Sequence, residues 1–171
     1  MTRTLRIRTA QADDLPRLVD IYNHYVMNTA ITFHTEPYTV VARRDWFGQF
    51  ASEGPYRLLV AENDQDVLGY ASSSVFNPRE AYRSSVETTI YLDHRHTGQG
   101  IGATLYNALL DELIAEPSTH RAYGGVALPN AASVNLHERA GFVRVATYSE
   151  VGYKLGQYWD VAWFEKDLER D

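Results

Sequence analysis

Three glycines at alternate positions, Gly98, Gly100 and Gly102, stand just ahead of Leu105, Leu109, Leu110 and Leu113, which recur at helical spacing. Before them runs Glu87-Thr88-Thr89-Ile90-Tyr91-Leu92, β-branched and aromatic as a buried strand is. Strand, glycine turn and helix in that order gather the backbone N–H groups of Gly98, Gln99, Gly100, Ile101, Gly102, Ala103 and Thr104 at a helix N-terminus. The helix dipole adds partial positive charge there, so the chemistry of this turn is anion binding, with phosphate the natural ligand. Two familiar phosphate loops do not match. A nucleoside-triphosphate loop needs lysine after the last glycine, and Gly102 is followed by Ala103 and Thr104. A dinucleotide fingerprint needs a third glycine where Ala103 stands and an acid at a later strand end, which this chain does not offer.

Composition bounds the ligand and the mechanism. With 171 residues, 44% of them hydrophobic, the chain reads as one domain over 1–171 with room for a real core. A net charge of -6 argues against nucleic acid and toward small molecules. No secretory apolar segment follows Met1, and no apolar run approaches the roughly 20 residues that cross a bilayer, so no membrane association and a cytoplasmic location are expected. Cysteine is absent, which removes disulfides, thiolate metal sites and a cysteine nucleophile; no metal is expected.

The elements that must position the turn follow from period and punctuation. Leu5 to Arg8 alternates as a strand; Asp13 or Asp14 starts a helix that ends near Asn28 and buries Leu15, Leu18, Val19, Tyr22, Tyr25 and Val26. Thr29 to Tyr38 is loop, and Thr39 caps a second helix carrying Trp46, Phe47 and Phe50 up to Gly54-Pro55. Arg57–Ala61 and Val67–Ala71 form a hairpin around Asn63 to Asp66; Asn77 to Ser84 is a polar loop. After the glycine helix, Pro117 breaks the chain and Ala122–Ala127 is a strand whose Gly124-Gly125 permits a close approach or a bulge. A short helix from Asn130 to Arg139 closes at Gly141, and Phe142–Tyr148 and Tyr158–Glu165 are the last strands. The fold class is therefore α/β, a mixed central sheet of about seven strands with flanking helices.

The frame Thr97-Gly98-Gln99-Gly100-Ile101-Gly102 before a helix resembles the acetyl-CoA loop of the GNAT N-acetyltransferases, Gln/Arg-x-x-Gly-x-Gly/Ala, with Thr97 where Gln or Arg is usual and Arg95 near enough to supply that contact. Asn130 to Phe142 resembles the second GNAT signature, Asn-x-x-Ala-x-x-Leu-Tyr-x-x-x-Gly-Phe, with His137 at the tyrosine position. Ile31 to Pro37, Asn77 to Tyr82 and Gly152 to Asp160 are similar to the phosphinothricin and methionine sulfoximine acetyltransferase branch. The resemblance spans nearly the whole chain.

By that resemblance acetyl-CoA is the co-substrate, held by Ile90, Tyr91 and Leu92, by the turn residues 98–104, and by Asn130 and Ser133. Glu87 and His137 fall on catalytic positions. Strand alternation sets Glu87, Thr89 and Tyr91 on one face, where a carboxylate can take the proton of an acceptor amine; His137, with an ordinary pKa of about 6.5, can supply or accept a proton at the departing thiol. Phe33, Arg79, Tyr82 and Thr89 fall on the acceptor pocket, where a guanidinium suits a carboxylate or phosphinate, and Asn77 stands where one type of branch member has lysine. The implied protein is a homodimer that acetylates the α-amine of a small amino-acid analogue. Without cysteine, transfer is expected to be direct from the thioester to the amine. Two further readings keep the fold: acetylation of a protein N-terminus or polyamine, favoured by an open acceptor groove, and a non-catalytic acyl-CoA-binding sensor, separable by thiol release.

Overall fold

The computed structural model describes residues 5–169. Seven strands form one sheet: β1 (Arg6–Thr9), β2 (Leu58–Glu62), β3 (Val67–Val75), β4 (Ser85–Leu92), β5 (Arg121–Leu128), β6 (Val143–Lys154) and β7 (Gln157–Asp167), in the order β1-β2-β3-β4-β5-β7-β6. The helices are α1 (Leu15–Asn28), α2 (Arg44–Phe47), α3 (Ile101–Ala115) and α4 (Ala131–Arg139). Every neighbouring pair is antiparallel except β4 and β5, which are parallel because α3 crosses over between them. The predicted α/β class, element order and mixed sheet stand as observed.

Two apolar clusters cover the sheet. On one face α3 lays down Leu105, Tyr106, Leu109 and Leu113, each 0% exposed, against Val86, Ala122, Phe142 and Phe164. A fully buried side chain of that size contributes about 1.5–3 kcal/mol, so this stripe fixes the helix although its first turn is glycine-rich. On the other face α1 packs Leu18, Tyr22, Tyr25 and Val26 against Leu58, Val60 and Tyr70, with Trp46, Phe47 and Phe50 alongside. The apolar period read from the sequence is the buried face in both helices.

Most boundaries agree with the sequence reading to within two residues, and three differ by more. The second helix is a single turn, Arg44–Phe47, preceded by a 3-10 turn at Val41–Arg43; Thr39 accepts from Ala42 N at 3.1 Å within that turn, but Val40 and Arg43 hold the two cap positions, so the expected Thr39 cap is not formed. Arg43 is drawn inward, its guanidinium 3.9 Å from the Trp46 ring and about 5 Å from those of Tyr22 and Tyr38, which tightens the segment. β3 continues to Val75, and β6 continues past Tyr148 to Lys154. In β6 a register shift between Tyr148 and Gly152, with Glu150 at φ 51°, interrupts the alternation that marks a strand in sequence.

Candidate active site

The parallel pairing of β4 with β5 stops early. Ser85, Val86 and Glu87 pair with Arg121, Ala122 and Tyr123; beyond Glu87 the two strands diverge and open a wedge in the middle of the sheet. Thr88 sits at its closed end, its hydroxyl 3.1 Å from the Tyr123 carbonyl and 2.8 Å from the Tyr106 hydroxyl. Ile90 and Tyr91 line one wall of the resulting cleft and Gly125 to Ala127 the other, with Asn130, Ser133 and His137 behind.

Register sorts the side chains around the wedge. Glu87 lies opposite Tyr123, Tyr123 is two residues from Gly125, and Gly125 faces Trp163 on β7, so all four belong to the α1 face. His137 packs instead among Tyr106, Phe142 and Phe164, on the α3 face. The two predicted catalytic residues thus approach the wedge from opposite sides of the sheet.

The paired glycines of β5 make this possible. Both neighbouring side chains use the missing Cβ atoms: one built on Gly124 would lie 2.5 Å from His137 Nε2, and one on Gly125 would lie 3.4 Å from the Trp163 ring. Of the two sequence options, close approach or bulge, the first holds, since β5 and β7 keep register throughout.

Burial raises the Glu87 carboxyl above its ordinary value. Burial lowers the His137 imidazole below its own, with the hydrogen bond to the Ser133 carbonyl working the other way. A carbonyl only accepts, so Nδ1 donates to Ser133 O at 2.8 Å and the neutral ring keeps its lone pair on Nε2. His137 is 4% exposed.

The glycine turn follows β4 on the α3 side. Gly98 and Gly100 take φ of +75° and +79°, and open space lies where their Cβ atoms would be. The first helical bond runs from Thr104 N to Gly100 O, so the N–H groups of Ile101, Gly102 and Ala103 are spared helical duty and are available to an anion. This cradle suits a pyrophosphate. Gly102 serves a different end from its neighbours: a Cβ there would press on Leu92 Cδ1 at 3.3 Å, so this glycine lets the helix sit against β4. Arg95 is turned away to Asp93, donating at 2.5 Å from Nη2 and 3.0 Å from Nε, while Arg17 donates to the same carboxylate. These partners hold Asp93 well below the usual carboxylate range, and Asp93 N bonds Leu68 O at 2.7 Å, anchoring the chain just before the turn. Asn130 caps α4, accepting from Ser133 N at 3.1 Å.

Predicted acceptor residues divide. Thr89 lines the cleft and shares a 2.9 Å hydroxyl contact with Ser72. Phe33, Arg79 and Tyr82 are exposed and outside its deep part. The Arg79 side chain makes no ion pair among the described residues. Tyr82 lies 6.1 Å from Phe76, whose ring stacks on Tyr123 at 4.4 Å, one strand from Glu87. Phe76, Tyr123 and Trp163 were not singled out in sequence; only pairing of β3, β5 and β7 brings these aromatics beside Glu87. Ile31 also lines the cleft, and its loop position carries no signal of that.

A parallel pair opened into a wedge, with a glycine turn and helix N-terminus at its wide end, is an acyl-CoA site in form. The chain belongs to the GNAT acetyltransferase family, since the family model "Acetyltransferase (GNAT) domain" matches residues 7–163. It is 51% identical over 169 residues to the phosphinothricin N-acetyltransferase of Streptomyces coelicolor, covering 98% of both chains. It is 35% identical to the L-methionine sulfoximine/L-methionine sulfone acetyltransferase of Pseudomonas paraeruginosa, covering 95% of this chain and 94% of that one. Among solved structures, the phosphinothricin acetyltransferase of Sinorhizobium meliloti in complex with AcCoA superposes with a TM-score of 0.91 at 30% identity, over 99% of this chain and 90% of that one. The protein is an N-acetyltransferase.

Proposed function

We propose that the protein transfers the acetyl group of acetyl-CoA directly to the α-amine of a small amino-acid analogue of the phosphinothricin or methionine sulfoximine type. One observation supports this: β4 and β5 part just beyond Glu87, whose side chain is on the α1 face by register, and the cleft they open is lined by His137 from the α3 face. A thioester lying in the wedge meets an amine from the Glu87 side and releases its thiol on the His137 side. Pantetheine runs along Ile90 to Leu92, Asn130 and Ser133 face its far side, and the pyrophosphate rests on the N–H groups of residues 98–104. Glu87, its carboxyl raised by burial, takes the ammonium proton of the acceptor. After attack the acceptor nitrogen sheds a second proton, which the lone pair of His137 Nε2 takes up and delivers to the sulfur as the C–S bond breaks. Arg79, without an ion pair among the described residues, and Tyr82 hold the acceptor's polar head, with Phe33 as an apolar wall and Thr89 on the floor. The relatives named for these substrates support the acceptor class.

The chain acts as one domain in the cytoplasm, where acetyl-CoA is available, and as a homodimer. Support for the dimer lies in β6, an edge strand whose Val151 and Tyr153, with Leu155 in the turn just after it, are each more than half exposed. Uncovered apolar edges of this kind favour association. Among the described residues no helix is long and apolar enough to cross a membrane.

A thiol-release assay with acetyl-CoA against phosphinothricin, methionine sulfoximine, methionine sulfone, free methionine, a polyamine and a peptide tests the reading. The sulfoximine and sulfone are expected to outrank phosphinothricin, because Asn77 offers hydrogen bonds but no second cation to a molecule that carries both a carboxylate and a phosphinate. A peptide or polyamine as best acceptor, or no thiol release with any amine, overturns it.

A further inference from the structure

β6 has two buried positions, Gly152 and Lys154, and both point at the loop between α1 and α2. The Phe33 ring occupies the space where a Gly152 side chain would be. Lys154, 5% exposed, donates from Nζ to the Thr32 carbonyl at 2.7 Å and lies 3.5 Å from the Tyr25 carbonyl in the last turn of α1. No carboxylate pairs with Lys154 among the described residues, and burial lowers its ammonium pKa. A buried ammonium without a counter-ion is a costly way to fill space, so its return lies in the backbone it fixes. That backbone is Thr32, between Ile31, which lines the cleft, and Phe33. From the other side Tyr22 bonds the Thr32 hydroxyl at 2.6 Å and also His34 Nδ1. The strand end is itself tied, since Trp159 Nε1 donates to the Lys154 carbonyl at 2.8 Å.

We infer that Lys154 is a positioning residue for acceptor recognition: with Gly152 it clamps residues 31–33 so that Ile31 and Phe33 form one wall of the acceptor site. This rests on the acetyl-transfer reading above. The clamp holds residues 31–33, none of which is among those assigned to acetyl-CoA above, so loosening it is expected to impair the acceptor rather than acetyl-CoA.

The test compares Lys154→Met, Lys154→Arg and Gly152→Ala with the unaltered protein. Lys154→Met is expected to raise the acceptor KM about tenfold, with acetyl-CoA affinity by calorimetry unchanged and kcat little altered. Lys154→Arg restores much of the loss, because it keeps charge and donors. Gly152→Ala, which displaces Phe33, raises the same KM and decides the matter should Lys154→Met not fold. Amide hydrogen exchange supplies a readout without turnover: faster exchange in residues 30–36 with α3 unchanged is the expected result for Lys154→Met. Unchanged acceptor KM in a folded variant, parallel loss of acetyl-CoA binding, or unchanged loop exchange overturns the clamp. Faster loop exchange in a protein that acetylates no amine leaves the clamp standing and removes the transfer reading and with it the acceptor role.

Discussion

His137 rests on the bare backbone of Gly124: Nε2 lies 2.5 Å from the point a Cβ would occupy. The imidazole is held there from behind by its own bond to Ser133 O, so it has nowhere to retreat within α4. Gly124→Ala therefore must push the ring or the strand. Overpacking of this kind costs about 1–3 kcal/mol. The variant should lose most of its turnover and several degrees of melting temperature, whereas Gly125→Ala, whose new methyl would meet Trp163 at 3.4 Å, should be nearly as stable as the parent. Thermal melts and steady-state kinetics of both variants check this.

Glu87→Gln should leave acetyl-CoA affinity unchanged and lower kcat by about a hundredfold to ten-thousandfold, the usual worth of a general base. Because burial raises the Glu87 carboxyl, the acid limb of the parent's kcat/KM profile should fall above the ordinary carboxylate range. In the variant the rate should climb at high pH as free amine accumulates. A variant that keeps the parent's rate across pH makes Glu87 a bystander.

Buried His137 makes stability depend on pH with a definite sign. Its folded pKa is below the ordinary value of 6.5, so the unfolded chain binds the proton more readily. The contribution is whole above 6.5 and is lost as pH falls through 6.5 toward the folded value. Denaturation midpoints measured from pH 7.5 down to 5 should decline, and more steeply in the parent than in His137→Phe. Parallel curves would show that folding leaves the imidazole pKa unshifted.

Gly100 and Gly102 should fail differently. Gly100→Val forces a β-branched residue to φ +79° at the mouth of the anion cradle, a conformational cost of about 1–2 kcal/mol, and should weaken CoA by roughly tenfold or more in calorimetric titration. Gly102→Ala meets Leu92 at 3.3 Å, so its chief effect should be on the seating of α3, read as a lower melting temperature with a smaller change in affinity.

How much of this was legible beforehand depends on whether the signal was local. Turn chemistry and apolar period are local, so Gly98 and Gly100, the leucine face of α3, the cap at Asn130 and the element order could be read from neighbours in the chain. Fold class and acetyl-CoA turn came from such signals joined to a resemblance carried by long motifs. The sequence also settled, through its lack of cysteine, that no thiol of this chain can carry an acetyl group. Tertiary structure alone decided which face each catalytic candidate serves, because that depends on register between β4, β5 and β7, strands separated by a helix or a long hairpin. It showed that Gly102 also lets α3 pack against Leu92, and it turned Arg95 toward Asp93. It also put Ile31 in the cleft, stacked Phe76 on Tyr123, and set Lys154 against the Thr32 carbonyl. Burial and pairing at a distance set the pKa directions of Glu87 and His137, and no residue type or spacing encodes the solvent that a distant segment will exclude.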